Sequence, residues 1–388
     1  MRKMANKFVH FLRRLHLKEG GVARAVLDIC SLLATRGHDV TLLTVEGMDV
    51  PADWESGAKN LPRVVTIPAP SFFRGVSPEV DRVLHEASVL HMHTPWDLSN
   101  LWLARRAGQL KIPYIVSVHG MLDEWSVRQR WLKKWLYLAL AGRRFLAGAA
   151  LIHCTATAEL RQIKRFIRRG SGMVLPYVID LSAYAAPADP DQAFREFPEL
   201  CRDASRLLFL GRLHPKKRPD ILIEAAAKLK KSGHTCQLIL AGPGDQTYVA
   251  ALQQLAVQYD IADMVLFPGM IHGCTKTSMY LAADVFVLPT SQENFGIVLI
   301  EAMASGMPVV TTFGVDIWEE IQSGGAIIVE QDVDQIAAAI RSLISDIPTA
   351  KQRGQKGREW VFRELNADRV IDTYEKMYRD VRLCAAPK

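Results

Sequence analysis

Two glutamates stand eight positions apart in the segment LPTSQENFGIVLIEAMASGMPVV, residues 288–310. An apolar strand precedes the polar stretch of this segment, and a helix is predicted to begin near Asn294. Glu293 would lie at the start of that helix and Glu301 about two turns further along it. An isolated pair of this kind is more often a capping acid and a solvated helix residue. The strand, loop and helix in frame favour a site instead.

The start of a helix presents backbone N–H groups that no earlier carbonyl accepts, and the helix dipole adds partial positive charge there. In this segment the N–H groups belong to Phe295, Gly296 and Ile297. Helix ends of this kind bind phosphate groups, and Gly296 lets a ligand approach the backbone closely. The segment therefore predicts a diphosphate site.

Two cations follow an earlier strand in LLFLGRLHPKKRPDILIEAAAKL, residues 207–229. The strand ends at Gly211, so the loop after it holds Arg212 and Lys217. Cations fixed in this way neutralise the charge that develops on a departing nucleotide diphosphate, without help from a metal. A basic loop before a helix is by itself usually solvated surface.

Three further loops follow predicted strands and contain glycines. They are KEGG at 18–21, AGPGD at 241–245 and FPGMI at 267–271. Each alone is an ordinary turn, but the last two lie between Arg212 and Glu293 in the chain, which favours a shared site. The sequence contains neither G-x-G-x-x-G nor G-x-x-x-x-G-K-[ST], which argues against NAD-linked and P-loop enzymes.

Short apolar runs rich in β-branched residues alternate with amphipathic helical stretches, a pattern typical of parallel strands with crossover helices. In the first half, strands are predicted at 8–12, 40–44, 64–67, 89–93, 114–118, 151–155 and 172–176. In the second half they are predicted at 207–210, 237–241, 264–267, 285–288, 309–312 and 326–329. Two doubly wound sheets place ligands beyond the carboxyl ends of their strands.

The stretch 179–205 is rich in Ala, Pro and acidic residues, has no strand period and is interpreted as an interdomain connection. The predicted domains are therefore 1–180 and 181–365. The sequence leaves open whether the final helix, 366–388, packs back on the first domain.

The segment with Glu293 and Glu301 resembles the E-x7-E block of retaining family-4 glycosyltransferases with the GT-B fold. The loop with Arg212 and Lys217 resembles the G-R-L-x-x-x-K-G motif of the same family, with Arg218 in place of the glycine. The resemblance implies an α/β, GT-B fold of two facing Rossmann-like doubly wound parallel-sheet domains. The second domain would bind the nucleotide sugar and the first would lie on the acceptor side.

The resemblance also implies roles for individual residues. Glu293 would contact the transferred sugar, Glu301 would accept hydrogen bonds from ribose hydroxyls, and His119 would lie near the sugar. The implied catalytic residues are Glu293, His119, Arg212 and Lys217. The implied donor-binding residues are Gly20, Gly21, Gly242, Gly269, Met270, Ile271, Asn294, Phe295, Gly296, Ile297 and Glu301. His93 and Trp96 are assigned to the acceptor side.

The implied reaction moves a sugar from a UDP- or GDP-linked donor to a hydroxyl of a sugar or lipid-linked acceptor, with retention at the anomeric carbon. The nucleotide sugar is a co-substrate, and no cofactor or metal is expected. Two alternatives remain: an inactive adaptor that binds a nucleotide sugar or polysaccharide, and an epimerase or phosphorylase that does not transfer sugar to an acceptor.

Histidines alternate in the predicted strand around His91 and His93. No third ligand is evident in the sequence, so a metal site is not predicted. A position at the rim of an acceptor cleft and simple packing in the core both fit His93. For His119, a core histidine with satisfied ring nitrogens is the simple alternative.

Residues 121–170 contain eleven basic and three acidic residues, a net charge of +8 that exceeds the +7 of the whole chain. Within them, Trp131 and Trp135 lie one helical turn apart among the cations Arg128, Arg130, Lys133, Lys134, Arg143 and Arg144, and further along come Arg161, Lys164, Arg165, Arg168 and Arg169. Such a helix docks on an anionic membrane, or is a solvated basic face over a packed stripe. No nucleic-acid partner is expected, because no recognised binding module accompanies the charge.

Composition places the chain among ordinary globular proteins, with 49% hydrophobic and 23% charged residues. The six cysteines are scattered singly, as expected for reduced core thiols in the cytoplasm. No apolar run approaches the roughly 20 residues that cross a bilayer, and the basic N-terminus lacks the apolar core of a signal peptide. The expected location is cytoplasmic, with peripheral attachment to the inner membrane face as an extension.

Overall fold

The chain forms two compact units in a computed structural model that describes residues 6–17, 20–67, 77–166, 171–186 and 189–385. The first unit runs up to Ile179 and includes the C-terminal segment from Ala367, and the second is Asp180–Asn366. The predicted final helix is therefore part of the first unit.

The first unit contains a seven-stranded parallel sheet of order β3-β2-β1-β4-β5-β6-β7. Its strands are β1 Lys7–Phe11, β2 Asp39–Thr44, β3 Arg63–Thr66, β4 Val89–His93, β5 Tyr114–Ser117, β6 Leu151–Cys154 and β7 Gly172–Val174. Its helices are α1 Gly21–Thr35, α2 Pro78–Glu86, α3 Leu98–Gln109, α4 Glu124–Arg128, α5 Trp131–Tyr137, α6 Arg143–Ala147, α7 Thr157–Ile163 and α17 Ala367–Ala385. A π-helical turn, Leu138–Gly142, joins α5 to α6.

The second unit contains a six-stranded parallel sheet of order β10-β9-β8-β11-β12-β13. Its strands are β8 Ser205–Leu210, β9 Cys236–Ala241, β10 Val265–Gly269, β11 Val285–Leu288, β12 Val309–Thr312 and β13 Ile327–Val329. Its helices are α8 Ser182–Ala185, α9 Asp191–Glu196, α10 Pro219–Lys231, α11 Gln246–Gln258, α12 Gly273–Ala282, α13 Ile297–Ala304, α14 Trp318–Ser323, α15 Val333–Ile344 and α16 Ile347–Glu364.

Each sheet reverses its strand order once, between β1 and β4 in the first unit and between β8 and β11 in the second. At such a point the loops that follow the two central strands diverge to opposite faces of the sheet and leave a crevice between them. The loops after β8 and β11 contain Arg212, Lys217 and Glu293, so the topology of the second unit gathers these residues at one place.

Alternation along the central strands assigns the two faces of the first sheet to different helices. On β1, Phe8 belongs to a core cluster that includes residues of α1 and α17, whereas Val9 and Phe11 belong to a second cluster with residues of α2, α3 and α6. Burial of both faces is the reason that these strands consist mostly of apolar residues.

The thirteen predicted strands are all present, with ends that differ from the predicted ones by at most two residues. The stretch 179–205, interpreted as an interdomain connection, contains α8 and α9 and belongs to the second unit from Asp180 onwards. The N–H of Ala193 in α9 donates to the Ser278 hydroxyl of α12 at 2.8 Å, and Ala193 is buried. This hydrogen bond and the burial of Ala193 thus fix α9 within the second unit, even though the stretch shows no periodicity.

The prediction of core thiols is right for only half of the cysteines. Cys30, Cys154 and Cys236 are buried, whereas Cys201, Cys274 and Cys384 are exposed, and the six form no disulfide.

We expect the packing of α17 against the first sheet to contribute strongly to the stability of the first unit. Ile371 of α17 is fully buried, so Ile371→Ala should cost about 2–5 kcal/mol of unfolding free energy through lost burial and a cavity. Leu383 on the same helix is 62% exposed, and Leu383→Ala should change stability by no more than about 0.5 kcal/mol. Urea denaturation compares the two variants, and equal midpoints would contradict the packing described.

Candidate active site

The loops after β8 and β11 are hydrogen-bonded to each other at the strand-order reversal of the second sheet. The Lys216 carbonyl accepts the N–H of Ser291 at 2.9 Å and the hydroxyl of Thr290 at 3.1 Å. These bonds fix the basic loop against the glutamate loop, so the side chains that follow in each have defined positions.

Lys217 and Glu293 form an ion pair across these two loops. Their side chains are 15% and 22% exposed, so the pair is largely withdrawn from water but still reachable. The backbone of Glu293 is fixed on both sides, because its N–H donates to the Gly314 carbonyl and its carbonyl accepts the Asp316 N–H, both at 2.8 Å. The two predicted catalytic residues therefore meet directly.

Three positive charges crowd the β8 loop. Burial, together with the charges of Lys216 and Arg212, lowers the pKa of the Lys217 ammonium to about 7. The ion pair with Glu293 opposes this fall, because a carboxylate favours the charged form of its partner. Arg212 itself is exposed. An anion that binds here relieves the mutual repulsion of these three cations.

Arg218 occupies the position at which the family motif has glycine, and its backbone conformation explains why a glycine is favoured there. Its φ is +54°, in the left-handed region that glycine adopts without strain and that other residues adopt at a cost of about 1 kcal/mol. The guanidinium donates to the Asp220 carboxylate at 2.9 and 3.1 Å and to the Gln331 side chain at 3.3 Å. These bonds hold the turn in the conformation that a glycine would supply.

The helix after Glu293 begins later than predicted. It starts at Ile297, and Gly296 precedes it with φ +65°, whereas the prediction placed its start near Asn294. The left-handed Gly296 and the buried Phe295 form a tight turn that the helical period of the sequence did not reveal. A Cβ added to Gly296 would lie 3.3 Å from Cγ of Glu293, so the glutamate side chain lies over the start of the helix.

Glu301, on the first turns of α13, is bound to two side chains of α12. One carboxylate oxygen accepts from Lys276 at 2.6 Å and the other from the Tyr280 hydroxyl at 3.0 Å. The residue is 9% exposed. Each carboxylate oxygen has two acceptor sites, so these partners leave capacity for further donors.

The predicted glycine loops of the second unit lie next to the β8 loop. The Gly242 N–H donates to the Gly269 carbonyl at 2.7 Å. Gly242 has φ +137°, and a Cβ there would lie 2.0 Å from the Gly211 carbonyl oxygen. Its glycine is therefore required by contact with the end of β8. Met270 is 63% exposed and Ile271 is buried, so only the former has a side chain open to a ligand.

In the first unit, His119 follows β5 with φ +50° and is 7% exposed. Its Nε2 lies 3.1 Å from Nδ1 of His93, and its Nδ1 lies 2.7 Å from the Tyr177 hydroxyl. Both ring nitrogens are thus engaged by protein groups. The ring of His119 sits in the core, as in the simpler of the two interpretations of the sequence.

The residues assigned to the acceptor side are both packed. His93 is 3% exposed and lies between His119 and His10, so packing rather than a cleft rim describes it. Trp96 is half-buried and donates its indole N–H to the Met121 carbonyl at 3.0 Å.

The predicted glycine loop of the first unit lies at the start of α1. Gly21 is the first residue of this helix, and Gly20 precedes it with φ +134°. Residues 18 and 19 of the same loop lie outside the described residues.

Comparison with known proteins agrees with this geometry. The family model described as Glycosyl transferases group 1 matches residues 191–360, and that of a glycosyl transferase 4-like domain matches residues 20–177. The chain belongs to the glycosyl transferases group 1 family. The GT-B fold class expected from the sequence is confirmed, since this family and solved structures similar to the chain share it.

Individual relatives match most of the chain. The D-inositol 3-phosphate glycosyltransferase of Thermomonospora curvata is 27% identical, with 92% of this chain and 90% of that protein covered. A GDP-mannose-dependent alpha-(1-6)-phosphatidylinositol monomannoside mannosyltransferase of Mycolicibacterium smegmatis is 29% identical over 72% of this chain and 71% of its own. The crystal structure of Anabaena HepE in complex with UDP matches with a TM-score of 0.80 at 18% identity, and 97% and 100% of the two chains are covered.

Several residues of this glycosyltransferase's core were missed in the sequence. Lys276 and Tyr280 lie four positions apart on α12, and nothing in their spacing indicates that they bind Glu301. His10 was missed as well, although it lies two positions after Phe8 on β1 and is paired with His91 in the neighbouring strand. The two-residue spacing from Phe8, which puts both side chains on one face of the strand, is the one signal that was available.

His10, His91 and His93 offer ring nitrogens within 4.8 Å of one another, so a third histidine does exist beside the two that the sequence analysis singled out. The rings of His91 and His93 stack with centroids 4.3 Å apart, and His10 Nδ1 lies 3.1 Å from His93 Nε2. A metal ion would have to displace these hydrogen bonds.

The basic segment forms an exposed apolar stripe on the first unit. Trp131 and Trp135 are 62% and 58% exposed, and Leu132, Leu136 and Leu140 are 60%, 50% and 71% exposed. Lys134 turns back to the Ser126 carbonyl and the Trp96 ring. Arg168 and Arg169 lie outside the described residues. No helix in the described ranges is both long enough and apolar enough to cross a bilayer.

The lowered pKa of Lys217 predicts how nucleoside diphosphate binding depends on pH. Because the diphosphate binds the ammonium form, affinity should fall as pH rises through about 7, and the ion pair with Glu293 shifts the midpoint upward without changing the direction. Lys217→Arg stays charged, so its affinity should be flat between about pH 7 and 9. Isothermal titration calorimetry measures the affinity of both proteins at each pH. Protonation of the ligand affects both proteins equally, so it cancels when their pH profiles are compared. Parallel pH profiles would contradict the assignment.

Proposed function

We propose that this glycosyltransferase transfers a sugar, with retention of configuration, from a UDP- or GDP-linked donor to an acceptor hydroxyl. The observation that supports this most is the Lys217–Glu293 ion pair beside the start of α13, at the strand-order reversal of the second sheet. A cation, a carboxylate and the start of a helix on neighbouring loops suit a sugar diphosphate. HepE was crystallised with UDP, and the mycobacterial relative is GDP-mannose-dependent, which is consistent with either base.

In the proposed reaction, the donor diphosphate binds to Arg212, Lys217 and the first amides of α13. Lys217 exchanges its partner from Glu293 to the diphosphate, and the released carboxylate accepts hydrogen bonds from the sugar hydroxyls. Gly296 keeps the helix start accessible to the phosphates, and Glu301 together with Lys276 faces the nucleoside. Binding and positioning thus use the same charges that form the Lys217–Glu293 ion pair.

The bond changes occur on one face of the sugar. The bond from the anomeric carbon to the diphosphate oxygen breaks as the acceptor oxygen attacks from the same side, and the acceptor proton passes to the departing diphosphate. The cations and the helix dipole stabilise the charge on that leaving group, so neither a covalent carboxylate intermediate nor a metal is required. Electrostatic stabilisation of this kind is commonly the largest contribution to catalysis.

Replacement of the paired carboxylate tests this function. Glu293→Gln should lower kcat by about a hundredfold to a thousandfold, because it removes the charge but not the shape. Loss of the ion pair should lower the melting temperature, and circular dichroism at the assay temperature checks that the variant is still folded. Glu359→Gln, on the exposed face of α16, is the matched control and should retain activity. Product analysis by NMR reports the anomeric configuration. Wild-type turnover by Glu293→Gln, or inverted product, would contradict the proposal.

The same assay separates the alternative functions. An adaptor would bind the donor without hydrolysing it, and an epimerase or phosphorylase would convert donor in the absence of any acceptor hydroxyl. Transfer that depends on added acceptor excludes both.

We further propose that the acceptor is reached at the cytoplasmic face of an anionic membrane, on which the stripe of α5 docks. The stripe places two tryptophans and three leucines outward, at helical spacing. Exposed cations surround it, namely Arg128, Arg130, Lys133, Arg143 and Arg144. Aromatic side chains suit the headgroup level, and each cation near an anionic surface contributes about 1 kcal/mol. The mycobacterial relative is named for a lipid acceptor, phosphatidylinositol monomannoside.

Flotation with vesicles tests this docking. Wild type should float with phosphatidylglycerol-containing vesicles and not with purely zwitterionic ones, and high salt should release it. Trp131→Ala/Trp135→Ala should bind several-fold less, whereas Met48→Ala, also highly exposed on the first unit, should bind normally. Absence of salt-sensitive flotation of wild type would remove the membrane surface from the proposal.

A further inference from the structure

Besides Lys217–Glu293, the second unit contains another lysine–glutamate pair, Lys276–Glu301. The ammonium of Lys276 lies 2.6 Å from one carboxylate oxygen of Glu301. The two side chains are 23% and 12% exposed, so most of their surface is withdrawn from water. Both charged groups nevertheless remain within reach of a ligand.

Both members of this pair lie near the carboxyl edge of the second sheet. α12 begins at Gly273 after β10, and α13 begins at Ile297 after β11. All strands of this sheet are parallel, so both helices start at the edge where the β8 and β11 loops lie. Glu301 lies four residues beyond the start of α13, which is about 6 Å along the helix axis. A nucleotide bound by its diphosphate at that start has its ribose next to the diphosphate, and this separation suits a ribose.

Tyr280 fixes the second carboxylate oxygen of Glu301. Its hydroxyl lies 3.0 Å from this oxygen and 3.3 Å from the Val298 carbonyl. The carboxylate is both nearer and charged, so it is the stronger acceptor. The ring of Tyr280 is fully buried and lies edge-on to Tyr184, with centroids 6.1 Å apart. Packing of the ring therefore holds the hydroxyl, and the hydroxyl holds the carboxylate.

The pair has hydrogen-bonding capacity to spare. An ionised carboxylate has about four acceptor positions, and an ammonium group has three N–H donors. Within the described ranges, the Glu301 side chain accepts only from Lys276 and Tyr280, and Lys276 donates only to Glu301. A ligand therefore finds an acceptor and a donor side by side. The neighbouring 2′- and 3′-hydroxyls of a ribose are complementary to them, because one can donate to the carboxylate while the other accepts from the ammonium.

We infer that Lys276 is a specificity-determining residue of the donor site, which donates to one ribose hydroxyl while Glu301 accepts from its neighbour. This inference rests on the proposed function, in which the pair faces the nucleoside. A donor without one of these hydroxyls leaves a largely buried charged group without its partner, which is costly. The donor is therefore a ribonucleoside diphosphate sugar, and sugars linked to deoxyribonucleotides are rejected.

Binding of deoxy analogues to wild-type protein tests the inference without any substitution. The ligands are UDP, 2′-deoxy-UDP and 3′-deoxy-UDP, with the guanosine series in parallel, and isothermal titration calorimetry gives each affinity. In the series that binds more tightly, each deoxy analogue should bind about tenfold to a hundredfold more weakly than its parent, because a hydrogen bond to a charged group is lost.

Two substitutions separate the role of Lys276 from that of Glu301. Tyr280→Phe loosens the carboxylate and leaves the ammonium in place, so it should reduce discrimination against one of the two analogues. Lys276→Met removes the charge with little change of length, and should abolish most of the discrimination against the other analogue. Lys231→Met, an exposed lysine at the end of α10, is the matched control and should bind all three ligands as wild type does. Circular dichroism checks that the variants are folded.

The deciding observation concerns the analogue that Tyr280→Phe leaves unaffected. If Lys276→Met discriminates against it as wild type does, Lys276 only supports Glu301 and the inference is overturned. An equal loss of affinity for all three ligands would assign Lys276 to the phosphates, which also overturns it. Equal binding of UDP and both analogues by wild type, with the same result in the guanosine series, would do so without any variant.

Failure of this inference can be told apart from failure of the proposed function. If wild type transfers sugar and Glu293→Gln loses activity, the proposed function stands, and only the role of Lys276 fails with the deoxy analogues. If wild type transfers no sugar and binds the diphosphates no more tightly than the nucleosides, the proposed function has failed as well.

Discussion

The ion pair between Lys217 and Glu293 is the interaction on which the account of the candidate site depends. Withdrawal of either charge from water alone is costly, and each is tolerated because the other is present. The charges of the pair therefore cancel, and each side chain holds the other in position. A ligand with its own negative charge can take over Lys217, which releases Glu293 to bind elsewhere on the same ligand. The Lys217–Glu293 contact therefore both holds the two side chains in position and allows Lys217 to exchange its partner for the ligand.

The sheet brings the two residues together. The β8 and β11 loops leave neighbouring strands at the point where the strand order reverses, and the Lys216 carbonyl joins them through Ser291 and Thr290. Arg218 holds the β8 loop in a left-handed turn, and Gly242 allows the β9 loop to touch the end of β8. Each of these features restricts a backbone, and together they restrict where the charges lie.

Much of this was predictable from the sequence. Buried parallel strands have a strong apolar signal, so all thirteen were found, and the order of motifs after strands predicted that Lys217 and Glu293 would share a crevice. The start of α13 was misplaced because Gly296 and the buried Phe295 form a turn within an apolar run. In such a run the spacing of apolar residues does not show where the helix begins. Contacts between elements distant in sequence were not predictable, as with Lys276 and Glu301, or His10 and His93. They depend on strand register and helix rotation, which alternation constrains only to a face.

The most direct measurement of the central claim is the affinity of wild-type protein for uridine, its monophosphate and its diphosphate, with the guanosine series in parallel. If Arg212, Lys217 and the start of α13 converge on one diphosphate, affinity in the preferred series should rise by at least about tenfold when the second phosphate is added. Equal affinities for the nucleoside and its diphosphate in both series would show that these groups do not form a diphosphate site.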